Sequence, residues 1–432
     1  MKLSGWGRCP VIEAKILAPD TLEAARRDIA AADAFIARGL GRSYGDSALA
    51  PTVLSALRLD RLLSFDPASG ELECGAGVSL DTLLKVFVPK GWFLPVTPGT
   101  SFVSVGGAVA SDVHGKNHHG AGSFSAHVRG LRMLLGNGEV LDCDPAHYGD
   151  LFRATCGGMG LTGVILAVRL RLIRIPSAWM RTTTLKTNNL DHALELFEAH
   201  RAATYSVAWI DCLARGTGLG RSLLMLGEHD PVGDFAATAR RVRNVPLDFP
   251  PGLLNHYSIA AFNALYYHRQ LRRQVQGRSH FRPYFYPLDG LRNWNRMYGR
   301  PGFLQYQCVL PAASGRAGMR LLLETIAQAG EGSFLAVLKT FGPGNDYPLS
   351  FPVVGPTLAL DFRNTPRVRQ LLDRLDAIVL DHGGRLYLTK DARMSAATFK
   401  RGYPRWEEMA EVRARYHAER IASLQSRRLE IP

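Results

Sequence analysis

The chain lacks the features of a disulfide-stabilised, zinc-binding or membrane-spanning protein. Its six cysteines lie far apart and include no C-x-x-C pair, so neither a disulfide scaffold nor a cysteine zinc motif is indicated. The stretch 92–111 carries no charge, but two prolines and several glycines, serines and threonines exclude a spanning helix. The first residues lack the apolar core of a signal peptide. We therefore expect a cytoplasmic protein with reduced, mostly buried thiols. If the protein contacts a membrane, we expect the contact to be peripheral.

Acidic residues are scarce as well. The 432 residues include 52 Lys and Arg against 38 Asp and Glu, a net charge of +14. This balance favours anionic partners, namely nucleic acid, a phosphorylated substrate or an acidic membrane surface, and it does not choose among them. Hydrophobic residues at 46% and charged residues at 21% are typical of a folded globular protein. The length predicts two domains rather than one core.

Glycine, serine and histidine are concentrated in the stretch 98–128, which contains almost no acidic residue. Gly106-Gly107, Gly115 and Gly120-Ala121-Gly122 are three places where backbone can approach another group closely. Exposed amides of such turns bind anions, so the stretch predicts a loop wrapped around a large flat ligand with a diphosphate. The alternative is an ordinary glycine-rich surface loop. His114 and His118 have the spacing of a metal pair, but Gly115 and the missing helix pattern argue against zinc, and we expect no metal.

A second glycine-rich turn occupies residues 39–46, with the sequence GLGRSYGD. It resembles a dinucleotide fingerprint only superficially, because Tyr44 stands where glycine is required and no helix pattern follows. A strand that runs into an amide-rich turn beside Arg42 suits a diphosphate outside that framework. The signal is weak alone and gains weight from the other glycine-rich stretch.

The periodicity predicts an α+β chain. Strands alternate with a smaller number of helices, and 177–178 reads as a domain boundary. Helices are predicted over 19–32, 80–88, 190–203, 316–328 and 367–381 and in the tail from residue 403. Strands are predicted over 34–38, 53–57, 63–66, 71–75, 128–135, 139–143, 162–175, 205–212, 302–310, 334–340, 357–362 and 385–388.

A basic and aromatic stretch, YYHRQLRRQVQGRSHFR at 266–282, has no assigned role in this pattern. Its cations are Arg269, Arg272, Arg273, Arg278 and Arg282. It could be the solvated face of a helix, or it could dock to phosphates or anionic lipid. The sequence does not decide between these two interpretations.

Several motifs together resemble the flavin-dependent decaprenylphosphoryl-β-D-ribose 2-oxidase family, of the vanillyl-alcohol-oxidase (PCMH) type of FAD-binding fold. They are LSGWGR at 3–8, GLGRSYGD at 39–46, VGGAVASDVHGKNHHGAGSF at 105–124, GLTG at 160–163, SVAW at 206–209, FLQYQ at 303–307, SFP at 350–352, GGRLYLTKDAR at 383–393 and RRLE near the end. HGKNHH together with GGRLY-x-x-KD is highly specific, and the likeness spans nearly the whole chain.

The resemblance implies an FAD-binding domain at 1–177, completed by 385–432, and a substrate-binding domain at 178–384 built on an antiparallel sheet with helices. It implies FAD held without a covalent bond, since Tyr44 stands in the first loop, where several relatives of this fold have the linking histidine. The implied FAD contacts are Ala37, Arg38, Gly39, Leu40, Gly41, Arg42, Ser43, Tyr44, Gly45, Asp46, Ser47, Gly99, Ser104, Val105, Gly106, Gly107, His114, Gly115, Lys116, Asn117, Ile165 and Tyr387.

The resemblance also assigns chemistry. Oxidation of a secondary alcohol needs a base for the hydroxyl proton, and Lys390 matches the family's essential lysine. The alternative is that Lys390 forms an ordinary ion pair with the adjacent Asp391. His114 is the second catalytic candidate, as an acid/base or an electrostatic partner. Lys116 and Lys339 are expected at the substrate phosphate and Gln305 and Gln307 at sugar hydroxyls, with Trp209 and Phe285 completing the implied substrate contacts.

The implied reaction oxidises the 2-hydroxyl of a polyprenylphosphoryl β-D-ribose, with oxygen or a quinone as electron acceptor. A separate NAD(P)H-dependent keto-reductase would complete epimerisation to the arabinose lipid. The chain departs from the family pattern at Phe285, Ala336, Thr357 and Ala359, which puts the exact sugar lipid in question more than the reaction. The alternatives are a soluble alditol or aldonolactone oxidase, and a non-catalytic basic protein that binds membrane or nucleic acid; we expect no nucleic-acid partner.

Overall fold

The computed structural model describes residues 1–236, 242–250 and 252–432. Helices and mainly antiparallel sheets are interspersed along them, which confirms the predicted α+β class. The strands, in chain order, are β1 Lys2–Ser4, β2 Val11–Glu13, β3 Lys15–Leu17, β4 Ile36–Arg38, β5 Thr52–Ser55, β6 Leu62–Phe65, β7 Glu71–Gly75, β8 Trp92–Phe93, β9 Val128–Leu134, β10 Val140–Cys143, β11 Val164–Arg171, β12 Ile173–Arg174, β13 Trp179–Thr187, β14 Tyr205–Ile210, β15 Ser222–His229, β16 Arg243–Asn244, β17 Gln274–His280, β18 Leu291–Arg292, β19 Phe303–Val309, β20 Ala336–Phe341, β21 Gly355–Arg363 and β22 Arg385–Leu386.

The helices begin at capping residues in most cases. Ser79, Ser104, Asn189, Thr365 and Ser395 each accept a hydrogen bond from a backbone amide in the first turn of their helix. The helices are α1 Leu22–Ala30, α2 Leu80–Phe87, α3 Val105–Ala110, α4 His118–Ala121, α5 Gly149–Thr155, α6 Leu190–Ala199, α7 His256–His268, α8 Phe281–Phe285, α9 Ala312–Ala329, α10 Pro366–Asp381, α11 Ala396–Gly402, α12 Trp406–Arg415 and α13 Leu424–Arg428.

Two sheets dominate the amino-terminal part of the chain. A five-stranded antiparallel sheet has the order β10-β9-β11-β7-β6, and its β9–β10 hairpin turns at the predicted Gly136-Asn137-Gly138, where Gly138 has a φ of 87°. A three-stranded parallel sheet has the order β3-β5-β4. Strand β4 ends at Arg38, and the first glycine-rich turn begins at the next residue.

An eight-stranded sheet occupies the later part, with the order β17-β13-β15-β14-β20-β21-β19-β22. Strands β19 and β21 pair antiparallel, so that Gln305 lies opposite Asp361 and Gln307 opposite Ala359. Alternate residues of β19 face opposite sides, as predicted. Leu304 is buried in the apolar core, while both glutamines face a cavity.

The structure corrects three local expectations. The stretch 98–128 was predicted as continuous loop but contains the short helices α3 and α4. Ser104 caps α3, and the amides of Val105 and Gly106 donate to the chain after β7, so tertiary contacts hold a turn that glycine alone would not favour. The helical alternative for 266–282 fails after His268, where the chain turns and forms the edge strand β17. The sequence analysis assigned no element to most of α7, to α5 or to β15.

The carboxy-terminal segment packs back onto the beginning of the chain. Ala422 donates its amide to the carbonyl of Phe35, and Leu424 donates to Leu49. The division into 1–177 with 385–432 and 178–384 stays a prediction. Among the described residues, no helix is both long and apolar enough to cross a bilayer.

Arg413 on α12 anchors this packing, and it is 2% exposed. Its guanidinium donates to the carbonyls of Leu161, Ala418, Ile421 and Ile431, and it forms no ion pair with a carboxylate among the described residues. Burial lowers its pKa to about 10, so the group stays charged at neutral pH. One side chain therefore joins the carbonyl of Leu161 to three carbonyls of the carboxy-terminal tail.

We expect Arg413→Ala to lower the free energy of unfolding by about 3 kcal/mol, because it leaves several buried carbonyls without donors. Denaturant unfolding followed by circular dichroism measures the change. Arg415→Ala is the matched control, since Arg415 is exposed on the same helix and pairs only with Asp150 at the surface; its cost should stay below about 1 kcal/mol. Equal destabilisation by the two variants would contradict the anchoring role of Arg413.

Candidate active site

A cavity of about 840 Å³ connects the two glycine-rich turns with the eight-stranded sheet. Its walls come from residues 37–48, from 97–116, from strands β14, β19, β20 and β21, and from Tyr387 to Lys390. The cavity is also lined by Phe262 and Tyr266 of α7 and by the segment around β18, where Asp289 accepts hydrogen bonds from Thr100 and Ser101. These parts are distant in sequence, and only the fold brings them together.

The first turn presents free backbone donors to the cavity. Within the described chain, no amide from Gly39 to Ser43 donates a hydrogen bond to another residue. Gly41 has a φ of 65°, a left-handed conformation that a side chain would strain. A run of unpaired amides in such a turn forms a concave anion-binding surface.

The second turn lies directly against the first. A Cβ built on Gly39 would be 2.0 Å from the Oγ of Ser104, the residue that caps α3. The amide of Gly106 donates to Ala76 and that of Val105 to Val78, which fixes this turn on the chain after β7. The two glycine-rich turns therefore form one continuous surface.

Buried polar atoms without partners face the same region. Arg42 Nε, Ser47 Oγ and His114 Nδ1 lack hydrogen-bond partners within the described structure, although each is inaccessible to solvent. Buried polar groups are almost always hydrogen-bonded, so unpaired ones at a cavity wall indicate a ligand that completes them. With the free amides of 39–43, these groups fit an elongated ligand with phosphate oxygens and ring heteroatoms, as FAD has.

Three lysines, Lys116, Lys339 and Lys390, line the cavity, each close enough to the next to affect its charge. Lys116 is influenced electrostatically by Lys339, and Lys339 by Lys390. Burial and this mutual repulsion lower the pKa of Lys116 and of Lys339 to about 7. Lys116 Nζ donates to the carbonyl of Tyr284 and lies 4.2 Å from the centre of that ring. The described residues that line the cavity thus include more basic groups than its two carboxylates, Asp289 and Asp361, can balance.

Lys390 lies at the end of this row, after β22. Its Nζ is 4.1 Å from the ring centre of Tyr44 in the first turn. Burial lowers the pKa of Lys390 to about 8, and the carboxylate of Asp361 opposes part of that shift. An amine with a pKa near neutrality can take up a proton from a substrate hydroxyl.

Asp391 does not neutralise Lys390, so the alternative of an ordinary Lys390–Asp391 ion pair does not apply. Its carboxylate accepts from Arg428 at 2.8 Å, and Arg428 also donates to Asp46 at 2.7 Å. Lys390 is the last residue of a single 3₁₀ turn and lines the cavity, whereas Asp391, the extended residue after that turn, points to Arg428 of the tail.

Polar groups of β19 and β21 complete the floor. Gln305 donates its amide to Asp361, and burial raises the pKa of that carboxyl to about 7. Gln307 lies 2.9 Å from His114 Nε2. Burial and the positive charges of Lys339, His118 and Lys390 hold the pKa of His114 well below its usual value, so its ring is neutral.

The structure brings most of the implied contact residues to the cavity. Both catalytic candidates, Lys390 and His114, line it, as do all six implied substrate contacts. The implied FAD contacts that line it are Ala37, Arg38, Gly39, Leu40, Gly41, Arg42, Ser43, Tyr44, Ser47, Gly99, Ser104, Gly106, Gly107, His114, Gly115, Lys116, Ile165 and Tyr387.

Four of the implied FAD contacts lie behind the wall instead. Gly45 packs against the backbone of Asp391, and Asp46 binds Arg428. Val105 is part of the apolar core, and Asn117 donates its amide to the carbonyl of Pro95. These four residues hold the turns in place and do not face the cavity.

Sequence reasoning missed several lining residues. Asp361 belongs to none of the sequence motifs, although its position opposite Gln305 follows once β19 is paired with β21. Trp6 also lines the cavity, with its ring centre 3.9 Å from the Arg42 guanidinium that stacks on it, and no local pattern indicates this contact. Phe262 and Tyr266 could have been found only from the helical period of α7.

Comparison with known proteins decides the family. The FAD binding domain family model matches residues 15–144, which contain both glycine-rich turns. Decaprenylphosphoryl-beta-D-ribose oxidase of Mycolicibacterium smegmatis is 38% identical over 452 aligned positions, which cover 100% of this chain and 97% of that protein. The chain belongs to the decaprenylphosphoryl-β-D-ribose oxidase family. An uncharacterised Streptomyces coelicolor protein is 32% identical over 78% of this chain and 95% of its own.

Membership in this oxidase family makes the protein an FAD-dependent oxidoreductase with a PCMH-type FAD-binding domain. More distant likeness extends to other oxidases, such as a putative D-arabinono-1,4-lactone oxidase of Neurospora crassa, 26% identical over 51% of this chain and 38% of that protein. The binding of FAD without a covalent bond stays a prediction.

We expect Gly99→Val to reduce flavin content while leaving the fold intact. Gly99 lines the cavity, and a Cβ there would meet no protein atom within 4 Å, so the side chain would enter ligand space. The absorbance ratio of flavin to protein after purification with added FAD gives the occupancy, and thermal unfolding of the apoprotein reports the fold. Gly120→Val is the control, since Gly120 has the same free space but does not line the cavity. Full flavin content in Gly99→Val would contradict this placement.

Proposed function

We propose that the protein oxidises the 2-hydroxyl of a polyprenylphosphoryl β-D-ribose to the 2-keto sugar. The observation that carries this proposal is the row of Lys116, Lys339 and Lys390 in the cavity that also contains both glycine-rich turns. A buried cationic row calls for an anionic substrate, and a lipid-linked phosphoribose supplies one. The Mycolicibacterium relative is named as an oxidase of decaprenylphosphoryl-beta-D-ribose, which supports the same substrate class.

The two turns would hold FAD. The free amides of 39–43 and Arg42 would bind its diphosphate, and Ser104 to Gly107 would allow close approach of its flat parts. Tyr387, whose hydroxyl donates to the carbonyl of Ser111, would hold the wall beside the ring system. Bound FAD supplies the acceptor for the hydride that leaves the carbinol carbon.

The substrate would lie between the lysine row and the floor of the eight-stranded sheet. Lys116 and Lys339 would bind the phosphate, which would also raise their pKa values by supplying the missing negative charge. Gln305 and Gln307 would donate to or accept from sugar hydroxyls. Trp209 and Phe285 would cover the apolar faces of the sugar and of the first prenyl carbons.

Lys390 would act as the base. Its neutral amine would take the proton of the 2-hydroxyl as the C–H hydride departs, so that the alcohol loses two electrons and two hydrogens and becomes a ketone. His114 would stay neutral and hold Gln307 through Nε2, which makes it a positioning residue rather than an acid.

The 2-keto product would pass to a separate NAD(P)H-dependent keto-reductase that completes epimerisation to the arabinose lipid. Oxygen or a quinone would reoxidise the flavin. Because the substrate is a membrane lipid, the protein would contact the membrane peripherally.

Anaerobic mixing of substrate with flavin-loaded enzyme tests the chemistry. In Lys390→Met the flavin content should equal that of the parent, while the rate of flavin bleaching by substrate should fall by about 10²- to 10⁴-fold, because the proton loses its acceptor. Lys400→Met, which removes a surface lysine paired with Glu430, should bleach at the parental rate. Parental bleaching in Lys390→Met would remove Lys390 from the mechanism.

The pH dependence provides a second test. Lys390 must be neutral to accept a proton, so kcat/KM should rise with pH through about pH 8. The Asp361 carboxylate raises the pKa of Lys390, so its removal in Asp361→Asn should lower that pKa and shift the rising limb to lower pH. Asp381→Asn, an exposed carboxylate paired with Arg401, should leave the profile in place. A limb that does not move in Asp361→Asn would exclude Lys390 as the group that titrates.

A further inference from the structure

The exposed apolar side chains are concentrated in one part of the chain. Of the twenty large hydrophobic side chains that are exposed within the described residues, eight lie in 242–250 and 252–275. Leu271 is 90% exposed, Tyr257 82%, Leu247 75% and Leu265 74%. Contiguous exposed apolar surface on a folded protein marks an interaction site.

Helix α7 connects these exposed side chains with the cavity. On α7, Tyr257 and Leu265 lie two turns apart on the solvent side. Phe262 of the same helix is 42% exposed and also lines the cavity, so it lies at the opening. We name Leu247, Leu253, Tyr257, Leu265 and Leu271 the apolar rim.

The segment that contains Leu247 also contacts the cavity wall. Strand β16 pairs with β18, whose two residues line the cavity, and Phe249 donates its amide to Arg296. Leu247 therefore lies on a segment that is held next to the β18 residues of the cavity wall.

Positive charge surrounds the apolar rim. Residues 242–282 contain six arginines and one acidic residue, Asp248, which is already paired with Arg8. Arg278 and Arg282 pair with Asp230 and Asp81 and are therefore committed to the fold. The remaining cations near α7 are exposed, and neither Arg272 nor Arg273 has an ion pair within the described structure.

We propose that the apolar rim, with Arg269, Arg272 and Arg273, is the surface by which the protein docks onto an anionic lipid bilayer, with the cavity mouth facing the lipid. Large apolar side chains flanked by arginines are typical of elements that lie in the membrane interface. The direct entry of a lipid-linked substrate from the bilayer rests on the function proposed above, whereas the docking itself does not.

Other occupants fit the surface less well. In a symmetric dimer through the rim, two sets of arginines would approach each other, and like charges brought together across an interface are unfavourable. A nucleic acid would use the arginines but would leave the exposed leucines in water. An anionic bilayer satisfies both the apolar and the cationic groups.

Flotation of flavin-loaded protein with vesicles tests the docking. The protein should bind vesicles of phosphatidylcholine with one third phosphatidylglycerol and bind pure phosphatidylcholine more weakly. Leu265→Asp/Leu271→Asp and Arg272→Glu/Arg273→Glu should each lower the partition coefficient by about tenfold or more. Leu63→Asp, at an exposed leucine of β6, is the control and should bind like the parent.

Two further measurements separate this proposal from the proposed function. The rim variants should oxidise a short-chain, water-soluble phosphoribosyl substrate at the parental rate and lose activity only on vesicle-embedded long-chain substrate. Failure of all proteins on the soluble substrate would contradict the proposed function and leave the docking result standing. Equal vesicle binding by the rim variants and the parent would overturn the docking, as would light scattering that shows a dimer dissociated by the rim substitutions.

Discussion

The Arg428 guanidinium joins three segments that are far apart in sequence. It donates to Asp46 at 2.7 and 3.1 Å and to Asp391 at 2.8 Å, so α13, the first glycine-rich turn and the Lys390 segment meet at one group. Arg428 and the hydrogen-bonding amides around it hold the pKa of Asp391 below its usual range against the effect of burial. Because the amide of Tyr44 also donates to Thr389, the distance from the turn to the Lys390 segment is set by the backbone as well as by the ion pairs.

These ion pairs of Arg428 explain how Lys390 can face the cavity next to Asp391 without pairing with it. If Asp391 were free, the attraction between neighbouring charges would stabilise the protonated amine and raise the pKa of Lys390. Arg428 occupies that carboxylate from the other side. Within the described residues, Asp361 is left as the carboxylate acting on the amine, and its effect is smaller than that of burial, which also raises the pKa of Asp361 itself to about 7.

Much of the fold and site could be predicted from the sequence, and the misses have physical reasons. Alternation identified β19 and placed Gln305 and Gln307 on one face of it, because a strand has a fixed period of two. The stretch 98–128 was called a loop, since helical propensity is low for glycine, yet tertiary contacts stabilise α3 there. Asp361 became visible only through strand pairing, and α7 was obscured because aromatic residues lie on both its buried and exposed sides.

The lysine row connects the stability of the protein to its specificity. Burial and mutual repulsion make the charged forms of these lysines unfavourable, and the lowered pKa values of Lys116, Lys339 and Lys390 reflect this free-energy cost. A phosphate between them would relieve the repulsion, whereas an uncharged sugar or lactone would leave it in place and add desolvation. The same side chains would thus favour a phosphorylated substrate over the uncharged substrates of related oxidases.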